Sequence, residues 1–204
     1  MLTCTFRKPK NTLAINEEFL SVQGEGKDTG VLQYFIRTQG CGVGCYFCDT
    51  KYTWKEEEAI VKEEDIVKRV IDSGAEWACL TGGEPLEQDM TRLVEMLKHR
   101  GIKTQIETSG MYYSQIDWVC CSPKMLYSKK PFDDKVIKHT HEVKCVVTSE
   151  KDLKFYIDYF KDFTGVKTLQ PVAEDIKKMS DMIISHKLTD WNLMIQQHKV
   201  LELR

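Results

Sequence analysis

The sequence contains no long apolar run. Nothing in its 204 residues approaches the length of a membrane span, and the opening stretch MLTCTFRKPKNTLAIN lacks the apolar core of a signal peptide. No charge of one sign dominates. Lys and Arg number 29 against 31 Asp and Glu, so no basic field invites nucleic acid or an anionic membrane surface. No linker, internal repeat or low-complexity segment divides the chain. These absences predict a cytoplasmic protein folded as one domain over residues 1–204, long enough to bury a real core. A second Cys or His pair at knuckle spacing is also missing, which leaves a structural zinc site short of ligands.

Cysteine, by contrast, is plentiful. Eight would suit a disulfide framework in a small exported domain, but thiols stay reduced in the cytoplasm. Cys4, Cys79, Cys120, Cys121 and Cys145 stand apart from the close group of three and read mostly as small buried hydrophobes. Val143, Cys145 and Val147 fall on one face of a strand. The remaining three, Cys41, Cys45 and Cys48, lie within eight residues in GCGVGCYFCDTKY.

Strand and helix patterns alternate along the chain. VLQYFIRT (31–38), EWACLT, IKTQIETS, DWVCCS, HEVKCVVT and GVKTLQPV read as strands, and WNLMIQQHKVL as a last one. Helical stripes run through Ile66, Val67, Val70 and Ile71, stopped by Gly74, and through Met90, Leu93, Val94 and Leu97, stopped by Gly101. Ser149 with Asp152 resembles a capping box opening a helix buried through Leu153, Tyr156, Ile157 and Phe160. Ile176, Met179 and Ile183 mark the last helix. Repeated β-then-α order predicts an α/β fold of parallel strands with outer helices, a partial TIM-like barrel because the chain is short for eight full repeats. Sites in such folds lie at the C-terminal strand ends, where QGCGVGC, TGGEP, ETSG, SPK and QPVAED fall.

Three thiolates without a fourth suit a [4Fe–4S] cluster with one iron open to substrate or cofactor, and Gly40, Gly42 and Gly44 let a loop wrap it closely. Cys41-x3-Cys45-x2-Cys48, with Phe47 before the last cysteine, resembles the radical S-adenosylmethionine signature, and TGGEP one strand later strengthens the likeness. The resemblance implies that S-adenosylmethionine chelates the open iron. Its reductive cleavage would then release a 5′-deoxyadenosyl radical.

Further motifs narrow the family. FLSVQGEG (19–26), Arg37, CDT (48–50), TGGEP (81–85), ETSG (107–110), SPK (122–124), QPV (170–172) and LMIQQHK (193–199) together resemble the 7-carboxy-7-deazaguanine synthase family, from about residue 15 to 199. That resemblance implies conversion of 6-carboxy-5,6,7,8-tetrahydropterin to 7-carboxy-7-deazaguanine with loss of ammonia, on the route to queuosine and related deazapurines. It implies Mg²⁺, an electron donor such as flavodoxin or ferredoxin, and a homodimer.

It also implies roles for residues. Val22, Gln23, Gly24, Glu25, Arg37, Thr81 and His198 would contact substrate, with Arg37 pairing its carboxylate. Phe47, Gly83, Ser122, Pro123, Lys124, Gln170, Pro171, Val172 and Ala173 would contact S-adenosylmethionine. Cys41, Cys45 and Cys48 would hold the cluster, and Thr50 the Mg²⁺. Plainer readings stand beside these: a turn at QGEGKDTG, an acidic helix face for Arg37, a helix cap at Thr50, a packed His198, a surface pair at His139 and His141.

Two departures from the family pattern occur. Ile195 stands where a proline is expected, and the chain runs on to VLELR rather than a proline-ended tail that would reach substrate. MLYSKKPFDDKVIKHT (125–140) reads as a surface insertion. A glycyl-radical activating enzyme sharing the cluster, and a non-enzymatic metal-binding module, are the alternative readings.

Overall fold

The computed structural model describes residues 10–54, 59–113, 115–128, 134–172 and 176–203. The described residues form one nine-stranded sheet. Its strands are β1 (Thr12–Val22), β2 (Leu32–Thr38), β3 (Ile60–Lys62), β4 (Trp77–Gly82), β5 (Lys103–Thr108), β6 (Trp118–Cys121), β7 (Glu142–Val147), β8 (Val166–Pro171) and β9 (Asn192–Leu193). Their order across the sheet is β3-β1-β2-β4-β5-β6-β7-β8-β9. From β2 to β9 every neighbouring pair is parallel, while β1 runs antiparallel to both β2 and β3. The arrangement is the partial barrel expected, extended by an antiparallel edge.

The helices are α1 (Glu63–Ser73), α2 (Thr91–Lys98), α3 (Asp134–Ile137), α4 (Glu150–Tyr159), α5 (Ile176–Ser185) and α6 (Gln197–Val200). They cover the outer face in two apolar clusters. Ile66, Val67 and Val70 of α1 and Leu93, Val94 and Leu97 of α2 pack on Ile36, Leu80 and Ile106. Leu153 and Tyr156 of α4 and Met179 of α5 pack on Val143, Cys145, Val147 and Leu169. Ile71 is exposed, so the α1 stripe is narrower than its sequence pattern. Gly74 closes α1 at φ 73°, a left-handed turn that favours glycine.

One strand goes unread in the sequence and other expectations change. The strand β1 escapes the sequence pattern because a bulge between Ile15 and Glu17 shifts its alternation. Ile15 faces the helices with Thr38, but beyond the bulge Glu17 and Phe19 lie beside Arg37 and Phe35 on the inner face. The last strand is only Asn192–Leu193; the polar run that follows turns into α6. Within the supposed insertion, Tyr127 donates to Asp152 at 2.7 Å and Val136 is buried, so part of it packs on the protein, while 129–133 lie outside the described residues. His139 and His141 are both at the surface, as read, but each has its own partner: His139 meets Tyr113, while His141 stacks on Trp118 and accepts from the Val119 N–H.

Candidate active site

Strand alternation sends Gln33, Phe35 and Arg37 inward while Tyr34, Ile36 and Thr38 face the helices. The inner face is unusually polar for a barrel, and its upper part opens into a cavity of about 300 Å³. Cys41, Cys45 and Cys48 line it together with Thr50, Phe47 and Gly83. So do Val22, Gln23, Gly24, Glu25, Arg37, Thr81 and His198, and on the far wall Ser122, Lys124, Gln170, Pro171 and Val172. Pro123 is not on the wall; its carbonyl accepts from Tyr156. Ala173 and Cys4 lie outside the described residues.

The cysteine loop leaves β2 through Gly40, at φ 97°, and Gly44, at φ 69°. All three thiols are free. Burial raises the Cys45 thiol above its ordinary range, Lys124 pulls it back, and Cys41 and Cys48 push it further up, so the three sulfurs feel one another. Among the described residues no three His, Cys, Asp or Glu side chains converge as ligands of a single ion. A cubane asks for no such convergence, since each thiolate takes its own iron corner. A three-thiol donor set on a cavity wall fits that group.

Gly82 and Gly83 serve the same loop. A side chain on Gly83 would sit 1.8 Å from the Gly40 carbonyl oxygen, and one on Gly82 2.3 Å from the Thr38 nitrogen. The pair therefore lets TGGEP press against the start of the cysteine loop, where the Glu84 N–H donates to Gly40 at 3.0 Å. Glu84, nearly fully buried, accepts from the Thr108 hydroxyl at 2.7 Å, the Ser109 N–H at 2.7 Å and the Ser109 hydroxyl, joining TGGEP to ETSG.

On the opposite wall the turn after β1 folds under the cavity. The Glu142 carboxylate accepts from the Lys27 N–H at 3.0 Å and from Thr168 at 2.8 Å. Above it Lys144 donates to Glu25 at 2.5 Å and Glu107 at 2.7 Å. Gln196 donates to the other oxygen of Glu25, and Gln105, itself bonded to Gln33, donates to that of Glu107. Burial alone would raise the Glu25 carboxyl, but Lys144, Gln196 and His198 outweigh it and hold it at about 2. Burial likewise opposes the Lys144 charge, yet Glu107 and Glu25 keep it well above the ordinary lysine range.

Arg37 donates through Nε to Glu17 at 2.8 Å, so its acidic partner is a strand residue rather than a helix face. Thr50 precedes a short 3-10 turn, and its hydroxyl lies 3.5 Å from the Cys48 sulfur. Lys124 bonds the carbonyl and hydroxyl of Ser122 and lies 5.9 Å from the Phe47 ring centroid. Burial lowers His198, with Glu25 opposing. It packs on Gly24, whose carbonyl accepts from the Gln197 N–H at 3.0 Å. Leu203 does not line the cavity, and Arg204 lies outside the described residues.

Sequence reading missed Glu84, Glu107, Lys144 and Gln196 as site-building residues. For Lys144 a signal existed: Glu142 and Lys144 are charges inside a strand covered on both faces, which requires buried partners.

Residues 35–120 match the Radical SAM superfamily. A 7-carboxy-7-deazaguanine synthase of Flavobacterium psychrophilum is 33 % identical over 94 % of this chain and 92 % of its own length. One of Escherichia coli K12 is 32 % identical over 93 % and 98 %. The crystal structure of QueE from Escherichia coli superimposes with a TM-score of 0.78 at 30 % identity, covering 91 % of this chain and 94 % of that one. Sequence and fold agree over nearly the whole length, and the chain belongs to the 7-carboxy-7-deazaguanine synthase family of radical S-adenosylmethionine enzymes.

Proposed function

We propose that this chain, as a single radical S-adenosylmethionine domain over residues 1–204, is a carbon–nitrogen lyase. Its reaction converts 6-carboxy-5,6,7,8-tetrahydropterin to 7-carboxy-7-deazaguanine and releases ammonia, in deazapurine and queuosine biosynthesis. What supports this most is one cavity lined at once by three free cysteines, a cation at Arg37 and the amide and carboxylate groups of Gln23 and Glu25. A pterin needs such partners, having a donor and acceptor edge at one end and a carboxylate at the other.

Cys41, Cys45 and Cys48 hold the [4Fe–4S] cluster in this reading, and Gly83, Phe47, Ser122, Lys124 and Gln170 to Ala173 hold S-adenosylmethionine, with Pro123 anchoring the segment from behind the wall. When bound, these groups supply the one-electron cleavage and hydrogen abstraction that side chains cannot. The protein binds and orients. Arg37 pairs the substrate carboxylate through the guanidinium nitrogens beyond Nε, which Glu17 occupies. Glu25, held ionised, accepts from the ring edge, while Val22, Gln23, Gly24 and Thr81 complete the seat. His198, kept neutral by burial, closes the side near Gly24. Thr50, on the cavity wall, would offer one hydroxyl to Mg²⁺, a hard cation that takes oxygen ligands. A flavodoxin or ferredoxin supplies the electron, and the working form is a cytoplasmic homodimer.

Anaerobic incubation of the reconstituted protein with reductant, S-adenosylmethionine, Mg²⁺ and the carboxytetrahydropterin tests the reading. The expected result is 7-carboxy-7-deazaguanine with one ammonia per product. An intact cluster that cleaves S-adenosylmethionine yet yields no deazaguanine rejects the substrate assignment.

A further inference from the structure

Lys144 is 5 % exposed and bonds two carboxylates brought from distant parts of the chain, Glu25 after β1 and Glu107 at the end of β5. Stability alone is a poor reason for this. A buried ion cluster is commonly no better than apolar packing of the same volume, and the other face of the same strand, Val143, Cys145 and Val147, is packed in that apolar way. The carboxylates retain acceptor capacity. The oxygens of Glu25 take one bond each, from Lys144 and Gln196, and Glu107 takes bonds from Lys144 and Gln105 and meets the Cys120 thiol, whereas an ionised carboxylate can accept about four. Both line the cavity.

We propose that Lys144 is a positioning residue that fixes Glu25 and Glu107 side by side as a charged acceptor pair for the donor-rich edge of the substrate ring. The inference rests on the pterin reading above and deepens it. A ring edge carrying an amino group next to a ring N–H presents two neighbouring donors, and two fixed carboxylates match them; a ring with an acceptor there meets repulsion.

The other titratable groups facing this trio are His198 of α6, Cys79 of β4, Cys120 and Cys121 of β6, Lys124 beyond β6, Arg37 of β2 and Glu142 of β7. Lys144 is the cation that bonds both carboxylates. Without it, two like charges stand together in a buried site and one takes up a proton, turning an acceptor into a donor.

Binding of 6-carboxytetrahydropterin to the reconstituted enzyme, held with S-adenosylhomocysteine to prevent turnover, tests this by titration calorimetry between pH 6.5 and 8.5. Lys144→Met should weaken binding about tenfold or more at pH 7, the loss of a charge-assisted hydrogen bond, with cluster absorbance unchanged. Its affinity should fall further as pH is lowered, while the unsubstituted protein shows no such added dependence. The double variant Lys144→Met/Glu107→Gln keeps the net charge of the trio and carries the test if the single variant does not fold; it should also bind weakly. Affinity within twofold of the unsubstituted protein in Lys144→Met, or its recovery in the double variant, would mean a merely structural lysine and overturns the inference. No pterin binding by the unsubstituted protein overturns the substrate reading and this inference with it.

Discussion

Single side chains carry most of the chemistry. Cys45→Ala removes one of three sulfur ligands, so the reconstituted protein should lose the cluster absorbance and reductive cleavage of S-adenosylmethionine; retained cleavage contradicts the ligand assignment. Arg37→Ala should raise the substrate KM about tenfold while leaving the cluster spectrum unchanged, because the lost contact is one charge-assisted pair remote from sulfur. Glu84 plays a different part. It satisfies donors from Thr108, Ser109 and Leu86 at a buried corner, and Glu84→Ala leaves them unpartnered. We expect a loss of about 3 kcal/mol in urea denaturation, in the range for breaking a buried charged hydrogen-bond network. The cysteines were legible as site candidates through their spacing, and Arg37 and the QGE turn through the family resemblance. Glu84, Glu107, Lys144 and Gln196 were not, because their meaning lies in partners as far as 171 residues apart.

At the level of elements, the parallel strands and their helices announced themselves through continuous apolar runs and 3.6-residue stripes. The failures have local causes. Strand β1 combines a bulge with the acidic pair Glu17 and Glu18, whose cations Arg37 and Arg69 come from β2 and α1. Neither cation is visible from β1 itself. The C-terminal run WNLMIQQHKVL reads as a strand, but Gln196 and Gln197 bond back to Glu25 and Gly24 and draw the chain into a turn. Close packing of TGGEP on the cysteine loop gives a test at this scale. Gly83→Ala must displace Gly40, so iron bound per chain after reconstitution should fall well below that of the unsubstituted protein. Full iron loading contradicts the idea that these glycines shape the loop.

The whole molecule should show its buried ions in its pH dependence. Glu25 is held at about 2 against an ordinary 4.5, so its contribution is complete above pH 4.5 and disappears as pH falls through 2. Lys144 is raised, so its contribution is complete below 10.5 and is lost only as pH rises beyond that. His198 is lowered, so the unfolded chain takes up that proton first and stability falls as pH drops below 6.5. Glu142 runs the other way: burial raises it, and stability declines as pH climbs above 4.5 toward its folded value. Urea midpoints of the metal-free chain should therefore drop steeply between pH 4.5 and 2, and Glu25→Gln should make that limb shallower. An unchanged limb in the variant contradicts the strength assigned to the Glu25–Lys144 pair. No helix among the described residues is long and apolar enough to cross a membrane.

All of this depends on three cysteines leaving one iron for S-adenosylmethionine. Electron paramagnetic resonance of the reduced, reconstituted protein measures that directly. About four irons per chain are expected, with a cluster signal whose shape changes when S-adenosylmethionine is added. A signal indifferent to S-adenosylmethionine, or a colourless protein carrying zinc in place of iron, would contradict it.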